Sequence, residues 1–168
     1  MGELELRLLN PQTDVDLFRE AYGWRQTKRH VQPDRAPFEA FIADDPRQTV
    51  IGVFNDQFIA AYLIYEWQPE YFECHFTSRR GTPKDILIQA GRAIRDAFLQ
   101  NGAIELCAWI TERNRALATY LEALEFRPDT EKEFAGQSDT QSDRLSAESE
   151  SPTRMFIRYA VRGESPSG

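Results

Sequence analysis

The sequence has no apolar run that approaches the roughly 20 residues of a membrane-spanning helix, and no basic-then-apolar start typical of a secretory signal. Its two cysteines, Cys74 and Cys107, each lie within an apolar strand pattern, so neither a disulfide framework nor a metal site is expected. It also lacks a basic face, with 20 basic residues against 27 acidic ones, which argues against nucleic-acid binding. We therefore expect a cytoplasmic protein that acts on neither membranes nor nucleic acids.

The acidic residues are unevenly spread along a chain of ordinary globular composition, in which 41% of residues are hydrophobic and 28% are charged. Seven of the 27 acidic residues fall between Asp129 and Pro152, where apolar residues are scarce. This composition predicts a mobile surface loop at 135–152, because such a segment has too little apolar surface to pack. Since RMFIRYAVR at 154–162 is a strand pattern, the loop is expected to be an acidic insertion within a single domain spanning 1–168.

Hydrophobic periodicity divides the chain into strands and helices. Alternating or continuous apolar patterns predict strands at Glu3–Leu8, Thr49–Phe54, Phe58–Trp67, Glu70–Thr77, Ala103–Ile110, Phe126–Phe134 and Arg154–Arg162. Helical spacing predicts helices after Thr13, after Pro37, between Thr82 and Asn101, and after Asn114. Asn55-Asp56-Gln57 is typical of a tight hairpin turn. The stretch from Gly23 to Ala36, which contains His30, fits either a substrate-facing loop or a solvated connection.

The centre of the chain, from Tyr71 to Phe126, has the order strand, basic turn, helix, strand, helix. Two strands joined by a helix of this length are expected to pair in parallel through a right-handed crossover. The turn contains Arg79, Arg80 and Gly81, and it is predicted to direct backbone N–H groups and two guanidiniums at one point. A helix start presented in this way is an anion site, most naturally a phosphate site.

The helix that follows this turn has clear start and packing signals. Thr82 is predicted as the N-cap, with Pro83 at the first helical position and Asp85 completing a capping box. Gly91 lies inside the helix, where glycine costs about 1 kcal/mol relative to alanine. We therefore expect Gly91 to be required for close packing of the helix on the sheet.

The strand before the turn presents two different faces. Alternation places Tyr71, Glu73, His75 and Thr77 on one face, and Phe72, Cys74 and Phe76 on the other. The first of these faces is polar and contains the ionisable residues Glu73 and His75.

Two segments, HFTSRRGTPKDILIQAGRAI and WITERNRALATYLEALEFR, resemble the phosphate-gripping turn with its helix and the Asn-then-helix segment of the GNAT superfamily of N-acyltransferases. The resemblance covers essentially the whole chain, and both segments are also similar to a divergent group of bacteriophage-encoded members. It implies an α+β, three-layer fold with a mixed sheet of about seven strands. A central parallel strand pair would be joined by a crossover helix.

The resemblance also implies that acetyl-CoA is the cosubstrate. The residues that it assigns to acetyl-CoA binding are Phe76, Ser78, Arg79, Arg80, Gly81, Thr82, Lys84 and Asn114. The family has small residues at two positions that are Pro83 and Asp85 here. Pro83 lacks an N–H group, and Asp85 repels a phosphate unless its side chain turns back to cap the helix.

For catalysis, the resemblance implies attack of an amine on a thioester, with an oxyanion donor near His75 or Phe76 and a base at Glu73 or His75. The alternative role of Glu73 and His75 is to line a polar cleft without taking part in catalysis. Many members have a tyrosine acid where this chain has Leu121. Tyr120 lies one residue earlier, which is about 100° of helix rotation away. Tyr120 is therefore either a packed aromatic residue or, with a shifted register, the acid.

Two hypotheses of function follow from the sequence. The first is an N-acyltransferase that moves an acetyl group from acetyl-CoA to a small-molecule or protein amine. The second is a catalytically weakened GNAT-like domain that acts as a binding or structural component of a phage particle or a host-modifying complex. In either case a homo-oligomer or a virion protein is a conceivable partner.

Overall fold

The computed structural model describes residues 2–24, 45–129 and 156–164 of the 168-residue chain. The helix predicted after Pro37, most of the Gly23–Ala36 stretch and the acidic insertion at 135–152 lie outside the described residues. The described elements form three layers, in which one mixed sheet lies between helices.

A seven-stranded sheet is the frame of the molecule, with the strand order β1-β2-β3-β4-β5-β7-β6. Its strands are β1 Leu4–Leu8, β2 Gln48–Asn55, β3 Gln57–Gln68, β4 Tyr71–Ser78, β5 Glu105–Thr111, β6 Arg127–Pro128 and β7 Phe156–Arg162. Of these neighbouring pairs, β4 and β5 are parallel and the others are antiparallel. The fold class predicted from the sequence is therefore confirmed.

The helices in the described part of the chain are α1 Val15–Gly23, α2 Lys84–Gln100 and α3 Arg115–Ala123. None of them is long and apolar enough to cross a membrane. Helix α1 packs on one face of the sheet, against a cluster that includes Val50 and Ala61. Helices α2 and α3 pack on the opposite face, and α2 is the crossover connection from β4 to β5.

The two faces of β4 are those expected from alternation. Cys74 and Phe76 pack toward α2, in the same cluster as Leu87 and other α2 residues. His75 pairs with Leu63, which packs against α1 on the other side of the sheet. Glu73, two residues from His75, shares the α1 side. The predicted division of β4 into two chemically distinct faces is confirmed.

Turn residues with positive φ connect several of these elements. Asp56, with a φ of 63°, is the single residue between β2 and β3, and this confirms the predicted hairpin turn. Helix α2 ends at the predicted Asn101-Gly102 pair: Gly102 has a φ of 101°, and its N–H donates to the Leu99 carbonyl at 3.3 Å. Glycine adopts this conformation without steric cost.

The start of α2 differs from the capping box predicted for it. The helix begins at Lys84, with Pro83 in the N-cap position and no side-chain capping hydrogen bond. The Thr82 hydroxyl instead donates to the Arg79 carbonyl at 2.7 Å, so it serves the turn and not the helix. The prediction failed because a threonine hydroxyl bonds equally well to a nearby carbonyl when the turn brings one within reach.

The C-terminus of α3 carries a strained residue. The N–H of Glu125 donates to the Glu122 carbonyl at 2.9 Å, and that of Phe126 donates to the Leu121 carbonyl at 3.0 Å. This closure forces Glu125 to a φ of 67°, where side chains other than glycine and asparagine are disfavoured.

We predict that Glu125→Gly raises the free energy of unfolding by about 1 kcal/mol, because it relieves this backbone strain. The change also removes an exposed ion pair with Arg95, which contributes little. Urea denaturation measures the effect. Glu122→Gly, in the last turn of the same helix, is the matched control and should lower stability by about 1 kcal/mol. Equal destabilisation by both changes would contradict the strain argument.

Candidate active site

A gap opens in the centre of the sheet because β4 and β5 pair only over a short distance. Their register joins Tyr71 with Glu105, Phe72 with Leu106, and Glu73 with Cys107. Beyond these pairs β4 continues to Ser78 and β5 to Thr111 without pairing to each other. The backbone edges of two parallel strands therefore diverge in the interior of the sheet.

The direction of the backbone groups along β4 follows from two hydrogen bonds. The Glu70 carbonyl accepts from the Ile104 N–H at 2.8 Å, so even-numbered residues point their backbone groups toward β5. The Arg79 N–H donates to the Ile59 carbonyl at 2.8 Å, so odd-numbered residues point toward β3. The N–H and C=O groups of Cys74 and Phe76 therefore face the gap, whereas those of His75 face β3.

The gap contains a cavity of about 90 Å³ that is lined by residues from both faces of the sheet. Gly91 of α2 and Tyr120 of α3 line it on one side, and His75 and Trp109 line it on the other. Its remaining walls are mostly apolar, and they include Ile64, Cys74, Phe76, Ile94, Leu106, Ala108, Leu117 and Leu121.

An aromatic cluster of Tyr62, Phe76 and Tyr120 stands beside this cavity. Tyr120 stacks on Phe76 with ring centroids 5.2 Å apart, and Tyr62 contacts Phe76 at 4.9 Å. The two tyrosine hydroxyls contact each other, and they lie 3.2 Å (Tyr62) and 3.1 Å (Tyr120) from the Leu87 carbonyl oxygen. Tyr120 therefore packs against α2 beside the cavity, which agrees with its interpretation as a packed aromatic residue.

This cluster also explains Gly91. A Cβ atom at position 91 would lie 2.5 Å from the Tyr120 hydroxyl and 2.8 Å from a methyl group of Leu124. Position 91 of α2 therefore requires glycine because of Tyr120 and Leu124, which follow β5 in the chain. The expectation that Gly91 serves packing on the sheet is wrong.

The hydroxyl protons of Tyr62 and Tyr120 both have acceptors inside the cluster. Two arrangements satisfy both protons. In one, Tyr120 donates to Tyr62, and Tyr62 donates to the Leu87 carbonyl. In the other, Tyr62 donates to Tyr120, and Tyr120 donates to that carbonyl. Burial raises the pKa of both phenols, so both are neutral at ordinary pH. Neither proton is directed into the cavity.

The turn between β4 and α2 leaves donors exposed at the helix start. The Arg79 carbonyl accepts from the Thr82 N–H at 3.3 Å, and Gly81 has a φ of 85°, which this turn requires. Because α2 begins at Lys84, the N–H groups of its first turn have no intrahelical acceptor. The N–H group that Pro83 lacks is that of the N-cap residue, so the donors of the helix itself are retained.

The two arginines of this turn differ in their partners. The Arg79 guanidinium binds Glu20 of α1, and it donates to the Gln57 side-chain oxygen at 2.5 Å. Arg80 is exposed, and both arginines line a hollow of about 250 Å³ between the turn and the β2–β3 hairpin. The turn thus brings both arginines to one hollow, and the carboxylate of Glu20 on α1 already pairs with the guanidinium of Arg79.

The polar residues of β4 lie on the α1 side of the gap. The Glu73 Oε1 and His75 Nε2 atoms are 3.0 Å apart, and both side chains are partly exposed. Asn114 caps α3 as expected, with its side-chain oxygen accepting from the Leu117 N–H at 3.1 Å. Its oxygen is therefore already used by the protein.

One cluster near the gap was not identified from the sequence. The buried Glu105 and Arg158 form an ion pair, and Asp129 and Arg162 extend it into a network of four charges. A glutamate inside an otherwise apolar strand pattern was the available signal, because a buried carboxylate requires a partner.

No family model and no curated protein sequence matches this chain. Solved structures of acetyltransferases do match it along nearly its whole length. An N-acetyltransferase from Campylobacter jejuni in complex with acetyl coenzyme A has 15% identity and a TM-score of 0.61, with 96% of this chain and 100% of that chain covered. The ribosomal-protein-S18-alanine N-acetyltransferase from Escherichia coli has 14% identity and a TM-score of 0.68, with 98% and 97% covered.

A Bacillus subtilis acetyltransferase in complex with CoA has 12% identity and a TM-score of 0.63, with 95% of this chain and 99% of that chain covered. At this level of identity the similarity establishes the fold, which is the GNAT fold that the sequence resemblance implied.

The buried thiol beside the ion network gives a prediction about alkaline stability. Burial raises the pKa of Cys107 to about 12, although Arg158 acts to lower it. Above about pH 8.5 the unfolded chain loses this proton while the native protein keeps it, so stability is full below that pH and falls as pH rises toward 12. The slope contributed by one such group is up to about 1.4 kcal/mol per pH unit.

Urea unfolding measured between about pH 8 and pH 10.5 should therefore show a falling free energy of unfolding, and Cys107→Ala should make that fall shallower by up to one proton. An unchanged slope in Cys107→Ala would show that the thiol titrates alike in both states.

Proposed function

We propose that the protein is an N-acyltransferase that moves an acetyl group from acetyl-CoA to a primary amine. The observation that carries this proposal is the gap between β4 and β5, whose cavity is lined by residues from both faces of the sheet and which leads toward the first-turn N–H groups of α2. Two reactants can approach through such a gap from opposite sides. The similarity in fold to acetyltransferases, one of them in complex with acetyl coenzyme A, supports the proposal.

The residues on the helix side fit acetyl-CoA. The first-turn N–H groups of α2, with Arg80 and Lys84 beside them, are suited to a pyrophosphate. The backbone groups of Cys74 and Phe76 would hold an amide-containing chain along the β4 edge, as a neighbouring strand would. Asp85 opposes this charge because it lies in the first turn and does not cap the helix.

The residues on the α1 side provide acid–base chemistry. Glu73 or His75, which are in contact, would accept the proton of the attacking amine directly or through water. The Phe76 N–H, which faces the gap, would donate to the oxygen on which negative charge develops. A general acid is not required, because a thiol with a pKa of about 8.5 leaves readily as the thiolate. This agrees with hydroxyl protons at Tyr62 and Tyr120 that are already used.

Small-molecule amines and protein amines are both acceptors that this reaction accommodates. One structural neighbour is named for acetylation of a ribosomal-protein alanine. The cytoplasmic location and the single domain over 1–168 belong to the same proposal.

A second candidate function is a GNAT-like binding or structural component with weakened catalysis, for example in a phage particle. The observation that favours it is the loss of Arg79 as a phosphate ligand, because Glu20 and Gln57 hold its guanidinium. Calorimetric titration with acetyl-CoA separates the two candidates, since the absence of binding at millimolar concentration would overturn the enzyme proposal.

The different partners of Arg79 and Arg80 give a prediction about the acetyl-CoA site. Arg80→Ala should weaken acetyl-CoA binding about tenfold, and more at low salt, because it removes an exposed cation beside the phosphate donors. Arg79→Ala should have a smaller effect on affinity and a larger one on stability, since Arg79 joins the turn to α1. Arg47→Ala, an exposed arginine paired with Asp45, is the control. A larger affinity loss for Arg79→Ala than for Arg80→Ala would contradict this assignment.

The β4 pair gives a prediction about the chemical step. Glu73→Gln should lower kcat about a hundredfold and shift the pH profile, while acetyl-CoA affinity stays near that of the wild type, because a base is lost and the helix side is untouched. Tyr120→Phe should reduce stability but leave kcat within about twofold of the wild type. If Tyr120→Phe abolishes turnover and Glu73→Gln is silent, Tyr120 is the acid and the proton assignment fails.

A further inference from the structure

The gap opens on the α1 side of the sheet onto a surface that we name the acceptor floor, formed by Glu73, His75, Trp109, Phe156 and Arg158. These side chains share one face because His75 is on the α1 side of β4 and Arg158 pairs with Trp109. Within the described residues, α1 packs over β2 and β3, so no described helix covers the floor.

One side of the acceptor floor is aromatic. Trp109 is partly exposed and lines the same cavity as His75, across the gap from it. Phe156, 40% exposed, pairs with Thr111 in the register of β5 and β7, and this places it diagonally beside Trp109. A group bound against this wall exchanges water for aromatic surface.

The guanidinium of Arg158, the arginine of the floor, is already paired with carboxylates. Arg158 is buried and binds Glu105, and it also contacts Asp129 at 2.7 Å. Arg162 closes the network with contacts of 3.0 Å to Glu105 and 2.7 Å to Asp129. Two guanidiniums thus balance two carboxylates. A carboxylate on the acceptor would meet no unpaired guanidinium among the described residues of the floor, and next to the reacting amine it would approach the carboxylate of Glu73, which repels it.

The opposite side of the floor offers one carboxylate. Glu73 contacts His75 at 3.0 Å, and among the described residues no arginine or lysine pairs with it. One such carboxylate suits one amine. A second ammonium on a diamine would lie against the aromatic wall with no carboxylate to receive it.

We propose that the acceptor is a primary amine carried on an aromatic or other apolar group without a carboxylate, and that Trp109 is the residue that selects it. This inference rests on the acetyl transfer proposed above. In that step the amine nitrogen bonds to the acetyl carbonyl carbon, the C–S bond breaks and CoA leaves as the thiolate. The amine proton passes to Glu73 or His75.

A panel of three amines tests the inference in the wild-type protein, with acetyl-CoA as donor and thiol release as the readout. 2-Phenylethylamine has the ring alone, L-phenylalanine adds a carboxylate, and putrescine has a second amine and no ring. The value of kcat/KM should be highest for 2-phenylethylamine, by about tenfold or more over each of the others.

Substitutions test the role of Trp109. Trp109→Ala should raise the KM for 2-phenylethylamine about tenfold with little change in kcat or in acetyl-CoA affinity, whereas Trp109→Phe should retain most of the binding. Trp67→Ala is the matched control. Trp67 lies near the end of β3, is 46% exposed, and contacts Tyr71 at the start of β4. It should leave every parameter unchanged.

The outcomes distinguish this inference from the proposed function. If acetyl-CoA fails to bind in calorimetry, the proposed function fails and the inference fails with it. If acetyl-CoA binds but 2-phenylethylamine is not acetylated, or L-phenylalanine or putrescine is preferred, the inference about the acceptor alone is overturned. An unchanged KM in folded Trp109→Ala also overturns it. If Trp109→Ala does not fold, Phe156→Ala provides the same comparison on the neighbouring ring.

Discussion

The short pairing of β4 with β5 is the constraint on which the rest of the structure depends. Backbone groups inside a protein are almost always hydrogen-bonded, because leaving them unpaired is costly. Past Glu73, the edge of β4 that faces β5 pairs with no strand among the described residues, although the sheet continues on both sides. The divergence therefore creates a row of directional donors and acceptors in a mostly apolar slot. A linear chain of amides is the kind of ligand that satisfies such an edge, which is why one sheet defect supports a proposal about acyl-CoA.

The aromatic cluster fixes the shape of that slot. Phe76 on β4, Tyr62 on β3 and Tyr120 on α3 are joined by ring contacts, and both hydroxyls reach the carbonyl of Leu87 on α2. Four elements thus meet beside the gap, and Gly91 is required because a side chain there would strike Tyr120. The same contacts consume the phenolic protons. A residue that looks like a displaced catalytic acid is better explained as a support for the walls of the slot.

Local signals in the sequence predicted the local structure well. Alternation gave both faces of β4, and the cap at Asn114 and the helix end at Gly102 followed from short-range backbone chemistry. The errors concern contacts between residues far apart in the chain. Nothing near Arg79 indicates that Glu20, 59 positions earlier, holds its guanidinium. The direction of Tyr120 likewise depends on Tyr62, 58 positions away. Such contacts are set by how layers pack, which periodicity does not encode.

The distribution of charge around the gap completes the argument. On the helix side, Arg79 is held by Glu20, so the cations at the turn are Arg80 and Lys84, opposed by Asp85. On the α1 side, the buried arginine is balanced by carboxylates, which leaves Glu73 with His75 as the reactive polar pair of the described floor. In the proposed reaction, anion binding and proton removal would therefore take place on opposite sides of the sheet. This separation would keep the proposed base away from the phosphates of acetyl-CoA, and it would leave the reacting carbonyl as the place where both sides converge.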